Sequence, residues 1–302
     1  MSTTETNVAG QGVAVDEAIR ASLAESIDQD VTRYVIVEMN SSNYGFPTGS
    51  TIELTSSSAV AVTRVPKSPL FVRGVINHRG SIIPVVDTRA LLGLATIDEQ
   101  RNALIANLRE HEQEAVDWLD AIHQSVRAEE ALPTAVDPKT TKLGSWRKQT
   151  IEDERTLASM MRYHASMRTW LSDLEAPHKA LYAAIEVVEQ ALEEGGKEGA
   201  VQAIVEIRET SLASMHTCFR RMIRAVKGGF KTMLIITELG DRKAAFEVDA
   251  VHTVKDCAEQ DVDTLPDTAT GAEFMSGLVH QPDGSYILIC DLEQMYEQAC
   301  PR

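Results

Sequence analysis

The spacing of hydrophobic positions changes twice along this chain. Between residues 31 and 97 the apolar runs are short and rich in β-branched residues, as in "RYVIVEM" and "GVINHRGSIIPVVDTR". The same pattern returns between residues 229 and 302, where "KTMLIITELGDRKAAFEVDAV" has two apolar runs around a Gly-Asp turn. Short β-branched runs bounded by turn residues are typical of strands. The two stretches therefore predict β structure at both ends of the chain.

Between residues 98 and 228 the apolar positions recur every three or four residues, which is the period of one helix face. The face of the first predicted helix consists of Leu104, Leu108, His111, Ala115, Leu119, Ile122 and Val126. A second helix is predicted over residues 151–174. A third begins around Pro177, a favoured first-turn residue, and ends near "EEGGKEG". A fourth runs from Val201 to Met222, so this region predicts a four-helix bundle.

Each β stretch alone is short for an independent domain. We therefore predict an α+β fold in which one β domain, residues 31–97 and 229–302, is interrupted by the helical bundle of residues 98–228. The polar residues 1–30 predict a flexible N-terminal leader.

Composition and charge narrow the partners and the compartment. The net charge is −16, and nucleic acids and anionic membrane surfaces are themselves negative, so we expect neither as the main partner. No apolar run approaches the roughly 20 residues that cross a bilayer, and no signal-peptide pattern begins the chain. The four cysteines form no CxxC pair, which favours free thiols in a reducing compartment, with a disulfide as the alternative. The sequence predicts a cytoplasmic protein.

Motifs that indicate catalysis do not occur in the sequence. It contains no phosphate-binding glycine motif, no GxSxG elbow and no HExxH pair. Asp87 is a single carboxylate after an apolar strand, and we expect it to accept hydrogen bonds from the following backbone amides rather than to act in catalysis. The sequence therefore does not predict an enzyme.

The first β stretch carries a series of characteristic residues in a fixed order. These are Tyr44, Pro47, Pro69, Phe71, Gly74, Asn77, Arg79, Gly80, Pro84, Asp87 and Arg89. They resemble the first half of the CheW family, the coupling proteins of bacterial chemotaxis, and residues 234–296 resemble its second half. The resemblance implies two small five-stranded β-barrels. It also implies a non-catalytic protein that binds the cytoplasmic tip of a chemoreceptor and the regulatory domain of a CheA-type histidine kinase.

Four residues of this pattern are candidates for partner binding. Gly80 follows Asn77 closely and permits a tight turn, so that Arg79 presents a cation at a hairpin tip. Glu53 aligns with a family glutamate that could pair with Arg79. The resemblance implies that this pair shapes the surface used by the kinase and the receptor. The alternative is a solvated ion pair of little energetic consequence.

The helical region resembles a second family, the chemoreceptor zinc-binding (CZB) domains. The framework residues that match are Asp137, Pro138, Leu143, Gly144, Trp146 and Pro177. His111 and His178 stand where that family has zinc ligands, but Thr141 replaces its cysteine and Tyr182 its last histidine. Hydroxyl groups are weaker zinc donors than thiolate or imidazole. We expect no zinc, with His178 and Tyr182 hydrogen-bonding inside the bundle; zinc held with Cys218 as a substitute ligand is the alternative.

Together the two resemblances predict a cytoplasmic adaptor at receptor arrays on the inner face of the membrane. It would couple chemoreceptors to a CheA-type kinase, and the inserted CZB-like bundle would modulate that coupling. The alternative is a zinc- or ligand-responsive sensor that uses the β domain only for docking.

Overall fold

The computed structural model describes residues 31–265 and 271–300, so the predicted leader over residues 1–30 lies outside the described part. The strands are β1 Val31–Met39, β2 Ser42–Pro47, β3 Thr51–Ser56, β4 Val72–His78, β5 Ser81–Asp87, β6 Met233–Leu239, β7 Arg242–Val248, β8 Ala250–Ala258, β9 Val262–Asp263, β10 Met275–His280 and β11 Tyr286–Cys290. The helices are α1 Thr88–Leu91, α2 Ile97–Ala128, α3 Lys142–Glu152, α4 Glu154–Met161, α5 Met167–Asp173, α6 Glu175–Tyr182, α7 Ala184–Ile207, α8 Ala213–Gly228 and α9 Leu292–Ala299.

These elements form two compact units. The β unit contains the described residues up to Leu94 and from Thr232 onward, and the helical unit is Ala95–Lys231. All the strands and the helices α1 and α9 belong to the β unit. The two stretches of strand pattern thus fold together, and the helical pattern between them folds separately.

The β unit contains two sheets, and each takes strands from both ends of the chain. The six-stranded sheet has the order β8-β1-β2-β11-β10-β9, and the five-stranded sheet has the order β3-β6-β7-β5-β4. Neighbouring strands are antiparallel except for the pairs β2–β11 and β5–β7, which are parallel and each join one strand from before the helical unit to one from after it. Neither stretch could complete a sheet alone, which is why the β fold is discontinuous in sequence.

The prediction of two five-stranded barrels was wrong in two respects: the sheets are open, and one has six strands. The extra strand is β9, a two-residue piece paired with β10. In the five-stranded sheet, the segment between β3 and β4 contributes only an isolated bridge between Thr63 and Val75. That segment contains Pro66 and Pro69, which have no backbone N–H to donate. A continuous ladder therefore does not close the sheet there.

The core of the β unit has an aromatic centre and one buried pair of opposite charges. Phe246 packs against Phe46 and Tyr296 with ring centroids 5.8 Å apart in both cases, and the Tyr296 hydroxyl donates to the Thr237 carbonyl at 2.8 Å. Each of these aromatic side chains is buried on the inner face of its element. Phe46 and Phe246 lie in continuously buried stretches of β2 and β7, and Tyr296 is on helix α9.

Helix α2 has the face that the hydrophobic period predicts. Its buried residues are Ile105, Leu108, His111, Ala115, Leu119, Ile122 and Val126. The helix begins with a capping box, in which the Thr96 side chain accepts from the Glu99 amide and the Glu99 carboxylate accepts from the Thr96 amide. The prediction of this first helix is confirmed, except that Ile105 rather than Leu104 is the buried residue at its start.

The rest of the helical unit is divided more finely than four helices. The predicted helix over residues 151–174 is instead the end of α3, then α4 and α5. The break after α3 falls at Asp153, which has an extended backbone and accepts a hydrogen bond from the Arg155 amide. Aspartate favours this capping position over a helix interior. Helix α7 is interrupted at Gly196 (φ 62°), where the sequence predicts the third helix to end, and the π-helical segment Arg208–Leu212 joins its second part to α8. No helix in the described residues is long and apolar enough to cross a membrane.

Candidate functional site

The first candidate site is the tip of the β4–β5 hairpin. Arg79 and Gly80 both have positive φ, 51° and 89°, which is the backbone of a two-residue turn that keeps the twist of the strands. The Asn77 side-chain carbonyl accepts a hydrogen bond from the Gly80 amide at 2.9 Å. The turn therefore holds Arg79 at a defined place on the surface, where 76% of its side chain is exposed.

Glu53 lies on β3 and joins this tip from the opposite edge of the five-stranded sheet. Its Oε2 accepts from Arg79 Nη2 at 2.7 Å and lies 3.1 Å from His78 Nε2. The hydrogen bond with His78 and the charge of Arg79 lower the pKa of the Glu53 carboxyl. The two edge strands thus meet through side chains where no backbone ladder joins them. We call Glu53, Asn77, His78, Arg79 and Gly80 the hairpin cluster.

The predicted partner-binding residues Glu53, Asn77, Arg79 and Gly80 all lie in this cluster. His78 is a further member that was not among the predicted residues. The sequence gives little indication of His78, because successive residues of a strand point to opposite faces of the sheet. His78 was therefore not expected on the same side as Arg79. Chemically, the Glu53 carboxylate holds the Arg79 guanidinium in place, and the guanidinium keeps further N–H donors for a carboxylate of a partner. Ile82, directly opposite Asn77 in the hairpin, is 66% exposed and adds an apolar neighbour.

Asp87 and Arg89, two other polar residues of the series that resembles the CheW family, make their contacts inside the β unit. Asp87 Oδ1 accepts from the Ala90 amide at 3.1 Å and caps α1, which confirms the expectation that it bonds a following amide. Arg89 makes a two-armed ion pair with Asp249, with Nε 2.6 Å from Oδ1, and both side chains are buried. Asp249 Oδ2 also accepts from the Asn40 amide at 3.0 Å. These groups hold the β unit together rather than face a partner.

The second candidate site is a group of buried polar side chains inside the helical unit, formed by His111, Thr141, His178 and Tyr182. We call it the histidine cluster. Each residue is at least nine-tenths buried. Thr141 Oγ1 lies 3.2 Å from His178 Nε2, and the Tyr182 ring meets the His178 ring edge-on with centroids 5.0 Å apart. His178 therefore hydrogen-bonds inside the bundle, as expected, and its partner there is Thr141.

His111 lies in the same group but makes no hydrogen bond within the described part of the chain. Both of its ring nitrogens are buried without a partner, and the ring packs on Trp146 with centroids 4.7 Å apart. The nearest carboxylate, that of Glu114, is 3.7 Å from Nδ1, which is too far for a hydrogen bond. The Glu114 oxygens instead accept from the amides of Lys142 and Leu143, both at 3.2 Å, and so cap α3.

Burial keeps the histidine cluster uncharged near neutral pH. It lowers the pKa of His178 to about 4, an effect to which the positive charge of Arg147 adds. It lowers the pKa of His111 as well, against the smaller opposing effect of Glu114. It raises the pKa of the Tyr182 phenol to about 12. The cluster thus offers neutral imidazoles, a hydroxyl and a phenol.

This set of donors does not fit a structural zinc site. Within residues 31–265 and 271–300, no three His, Cys, Asp or Glu side chains are grouped so that they could hold a metal ion. Cys218, the proposed substitute ligand, therefore does not join His111 and His178. It lies instead on α8 beside Pro177 and Ala180, and burial raises the pKa of its thiol. A zinc ion would find two imidazoles and two neutral oxygens where structural sites have thiolate and imidazole ligands.

Comparison with known proteins identifies the family. The model of the CheW-like domain matches residues 33–149 and 196–300. The chemotaxis protein CheW of Helicobacter pylori is 24% identical over 111 residues, which are 37% of this chain and 64% of that protein. The chemotaxis protein CheW of Thermotoga maritima is 58% identical over 40 residues, which are 13% of this chain and 26% of that protein. The chain thus spans less than two-thirds of the length of either relative.

A solved structure is also similar. It is the crystal structure of the scaffolding protein TtCheW from Thermoanaerobacter tengcongensis, with 16% identity and a TM-score of 0.39, covering 86% of this chain and 84% of that one. The family match alone covers more than half of the chain and includes strands on both sides of the helical unit. The chain belongs to the CheW-like family, with a helical unit inserted between the two halves of its β fold.

Proposed function

We propose that this protein is a chemotaxis adaptor that holds the cytoplasmic tip of a chemoreceptor and a CheA-type histidine kinase in one assembly. Membership of the CheW-like family supports this, because the matching relatives are chemotaxis proteins. The proposal locates the chain in the cytoplasm at receptor arrays. Its mechanism is noncovalent: a receptor conformation that binds the adaptor–kinase surface better shifts the kinase between its states. Turnover of a substrate without added kinase would contradict it.

The observation that carries the proposal is the hairpin cluster. Its turn and the Glu53 carboxylate hold Arg79 in one place, so little side-chain freedom is lost when a partner carboxylate binds it. Arginine is enriched at protein interfaces, and its planar fork suits carboxylate groups. The exposed Ile82, which is paired with Asn77 in the same hairpin, supplies apolar area. A charged anchor next to apolar surface is the composition expected of a partner-binding site.

The experiment is a binding measurement on the Arg79→Glu variant. We expect its affinity for the kinase regulatory domain or for the receptor fragment to fall about tenfold or more, as for an interface anchor. Kinase activation in the reconstituted assembly should fall with it. The matched control is Arg33→Glu, because Arg33, like Arg79, is an exposed arginine paired with a carboxylate, here that of Asp256, but lies in the other sheet. Equal affinities for both variants would contradict the proposed surface.

A charge swap distinguishes two roles of the pair. If Glu53 and Arg79 act only by shaping the hairpin, Glu53→Arg combined with Arg79→Glu keeps their attraction and restores binding. If Arg79 contacts a partner carboxylate, the swap reverses the sign at the surface and leaves binding weak. We expect the second result, because Arg79 is far more exposed than Glu53.

We further propose that the helical unit modulates this coupling without zinc. The support is the donor set of the histidine cluster, with Thr141 and Tyr182 where thiolate and imidazole would be needed. The purified chain and its His178→Ala variant should both contain far less than one zinc per chain, and added zinc should leave kinase activation unchanged. Zinc near one per chain that is lost in His178→Ala would favour the metal-responsive sensor instead.

A further inference from the structure

A cavity of about 210 Å³ lies in the helical unit next to the histidine cluster. Its lining includes Lys139, Arg147 and Lys148 on one side, and Glu175, His178 and Lys179 on α6. The lining residues thus include four cations and one carboxylate. The chain as a whole carries a net charge of −16, so this cavity reverses the prevailing charge of the molecule. A concave site lined by one sign of charge concentrates ligands of the opposite sign.

The single carboxylate does not neutralise the cavity. Glu175 pairs with Lys179 at 2.7 Å and with Arg147 Nη1 at 3.2 Å, and the pKa of Glu175 is lowered by Lys179 first and Arg147 second. The distance from Lys148 Nζ to Glu152 Oε1 is 4.0 Å, which is too long for a hydrogen bond. Lys139 has no acidic partner among the described residues. At least two positive charges of the lining are therefore weakly compensated.

Arg147 also has a hydrogen-bond donor that is not used. Its Nε is buried and has no hydrogen-bond partner in the described part of the chain, although its side chain is ion-paired through Nη1. A buried unpaired donor on a charged group is costly. An oxyanion is the acceptor that a guanidinium edge prefers. Because Nε itself is buried, Arg147 acts on a ligand in the cavity through the positive charge of its guanidinium.

We propose that this cavity binds a small organic oxyanion, a molecule that carries a carboxylate or a phosphate group. Its volume is below the roughly 300–1,000 Å³ of pockets for drug-sized ligands, so a ligand of few atoms fits. Arg147, Lys139 and Lys148 supply the charge, and the aliphatic lysine stems and Pro138 supply apolar wall. The neutral His178 forms part of the lining, so the ligand reaches the histidine cluster.

Binding would connect two helices. Arg147 and Lys148 belong to α3, whereas His178 and Lys179 belong to α6. A ligand that contacts both is bound by the folded helical unit and not by the unfolded chain, so it stabilises this unit by mass action. The site is independent of the proposed coupling role, since the ligand is held entirely by helical-unit residues and its binding needs no kinase or receptor.

The test is a titration of the full-length protein with citrate and with inorganic phosphate at constant ionic strength, followed by calorimetry. Glycerol serves as the uncharged compound. We expect saturable binding of at least one anion with Kd below about 1 mM, and no binding of glycerol. Citrate alone would identify a carboxylate site, phosphate alone a phosphate site. Absence of saturable binding for both anions at up to about 10 mM would overturn the proposal.

A matched pair of variants locates the site. Lys139→Gln with Lys148→Gln removes two exposed cations of the lining, and Lys227→Gln with Lys231→Gln removes two exposed lysines of the same unit outside it. Both variants change the net charge equally, and circular dichroism verifies their helix content. The first should weaken anion binding at least tenfold, about 1.4 kcal/mol, and the second should leave it unchanged. Equal binding by both variants would also overturn the proposal.

Discussion

The two units bury polar groups in opposite ways. In the β unit, Arg89 and Asp249 are both buried and charged, and they satisfy each other through two contacts, with the Asn40 amide as a further donor to the carboxylate. In the helical unit, His111 is equally buried but neutral, and neither of its ring nitrogens has a partner among the described residues.

The difference indicates which unit can respond to its surroundings. A buried ion pair with complete hydrogen bonding has one arrangement, and changing either member leaves an uncompensated charge. A neutral imidazole without a hydrogen-bond partner can bind a water molecule or a ligand without breaking an existing hydrogen bond, and it gains a charge as the pH falls. We therefore expect the β unit to be rigid at this position, and the helical unit to change its stability with pH and small ligands.

The largest expected effect comes from breaking the ion pair of the β unit. Arg89→Met leaves Asp249 buried and charged, which should destabilise the β unit by about 3–5 kcal/mol. Chemical denaturation should show this as a lower midpoint. Asp249→Leu added to Arg89→Met removes the orphan charge and should recover part of the loss.

Arg33→Met is the control for Arg89→Met, because the pair of Arg33 with Asp256 is exposed. It should leave the denaturation midpoint where it is. If Arg89→Met shifted the midpoint no more than Arg33→Met, the buried pair would stabilise the β unit no more than the exposed pair does.

A second prediction concerns acid. The pKa of His178 is about 4 in the folded chain and near 6.5 when unfolded, so the unfolded chain binds the extra proton between these values. The helical unit should therefore lose stability as the pH falls from about 6.5 to 4, by about 3 kcal/mol from His178, and then reach a plateau. His111 shifts in the same direction.

The measurement is denaturation followed by the helical circular dichroism signal at pH 7, 5.5 and 4. His178→Leu should flatten the pH dependence, because a leucine takes up no proton in either state. His252→Leu is the control, since His252 is about half exposed and pairs with Glu38 in the β unit. An unchanged slope in His178→Leu would assign the acid sensitivity to other groups.

A third prediction compares the two histidines at pH 7. His111→Leu removes two unpartnered buried nitrogens and should be neutral or stabilise the helical unit by up to about 1 kcal/mol. His178→Leu removes the bond to Thr141 and should destabilise it by about 1 kcal/mol. Thermal unfolding of both variants gives the comparison, and a larger loss from His111→Leu than from His178→Leu would show that His111 has a partner.

The sequence predicts a structural feature well when the residues that cause the feature are close together in sequence. The face of α2 follows from a period of three to four residues, and it was predicted almost completely. The break at Asp153 depends on one capping side chain, which competes with a helical period that continues across it. Periodicity alone could not identify that break.

Long-range contacts were harder to predict. Glu53 and Arg79 were paired by family resemblance, and the structure brings them together, but His78 joins them only because two sheet edges meet without a ladder. Similarly, Thr141, His178 and Tyr182 lie together in the helical unit, yet Cys218 is elsewhere. The cationic cavity combines Lys139 with Lys179, 40 positions apart in sequence, and no local pattern indicates that proximity.

The smallest expected effect separates shape from binding at the hairpin tip. Gly80 and Gly284 both have φ near 80–90°, and an added Cβ would meet no atom within 4 Å at either position. Alanine at each should therefore cost only backbone strain, about 1 kcal/mol or less. Both variants should show the same small decrease in unfolding midpoint. Only Gly80→Ala should also weaken binding to the kinase regulatory domain or the receptor fragment, because it disturbs the turn that holds Arg79. If Gly284→Ala weakened binding as much, the effect would come from lower stability, and the hairpin cluster would lose its assignment as the partner surface.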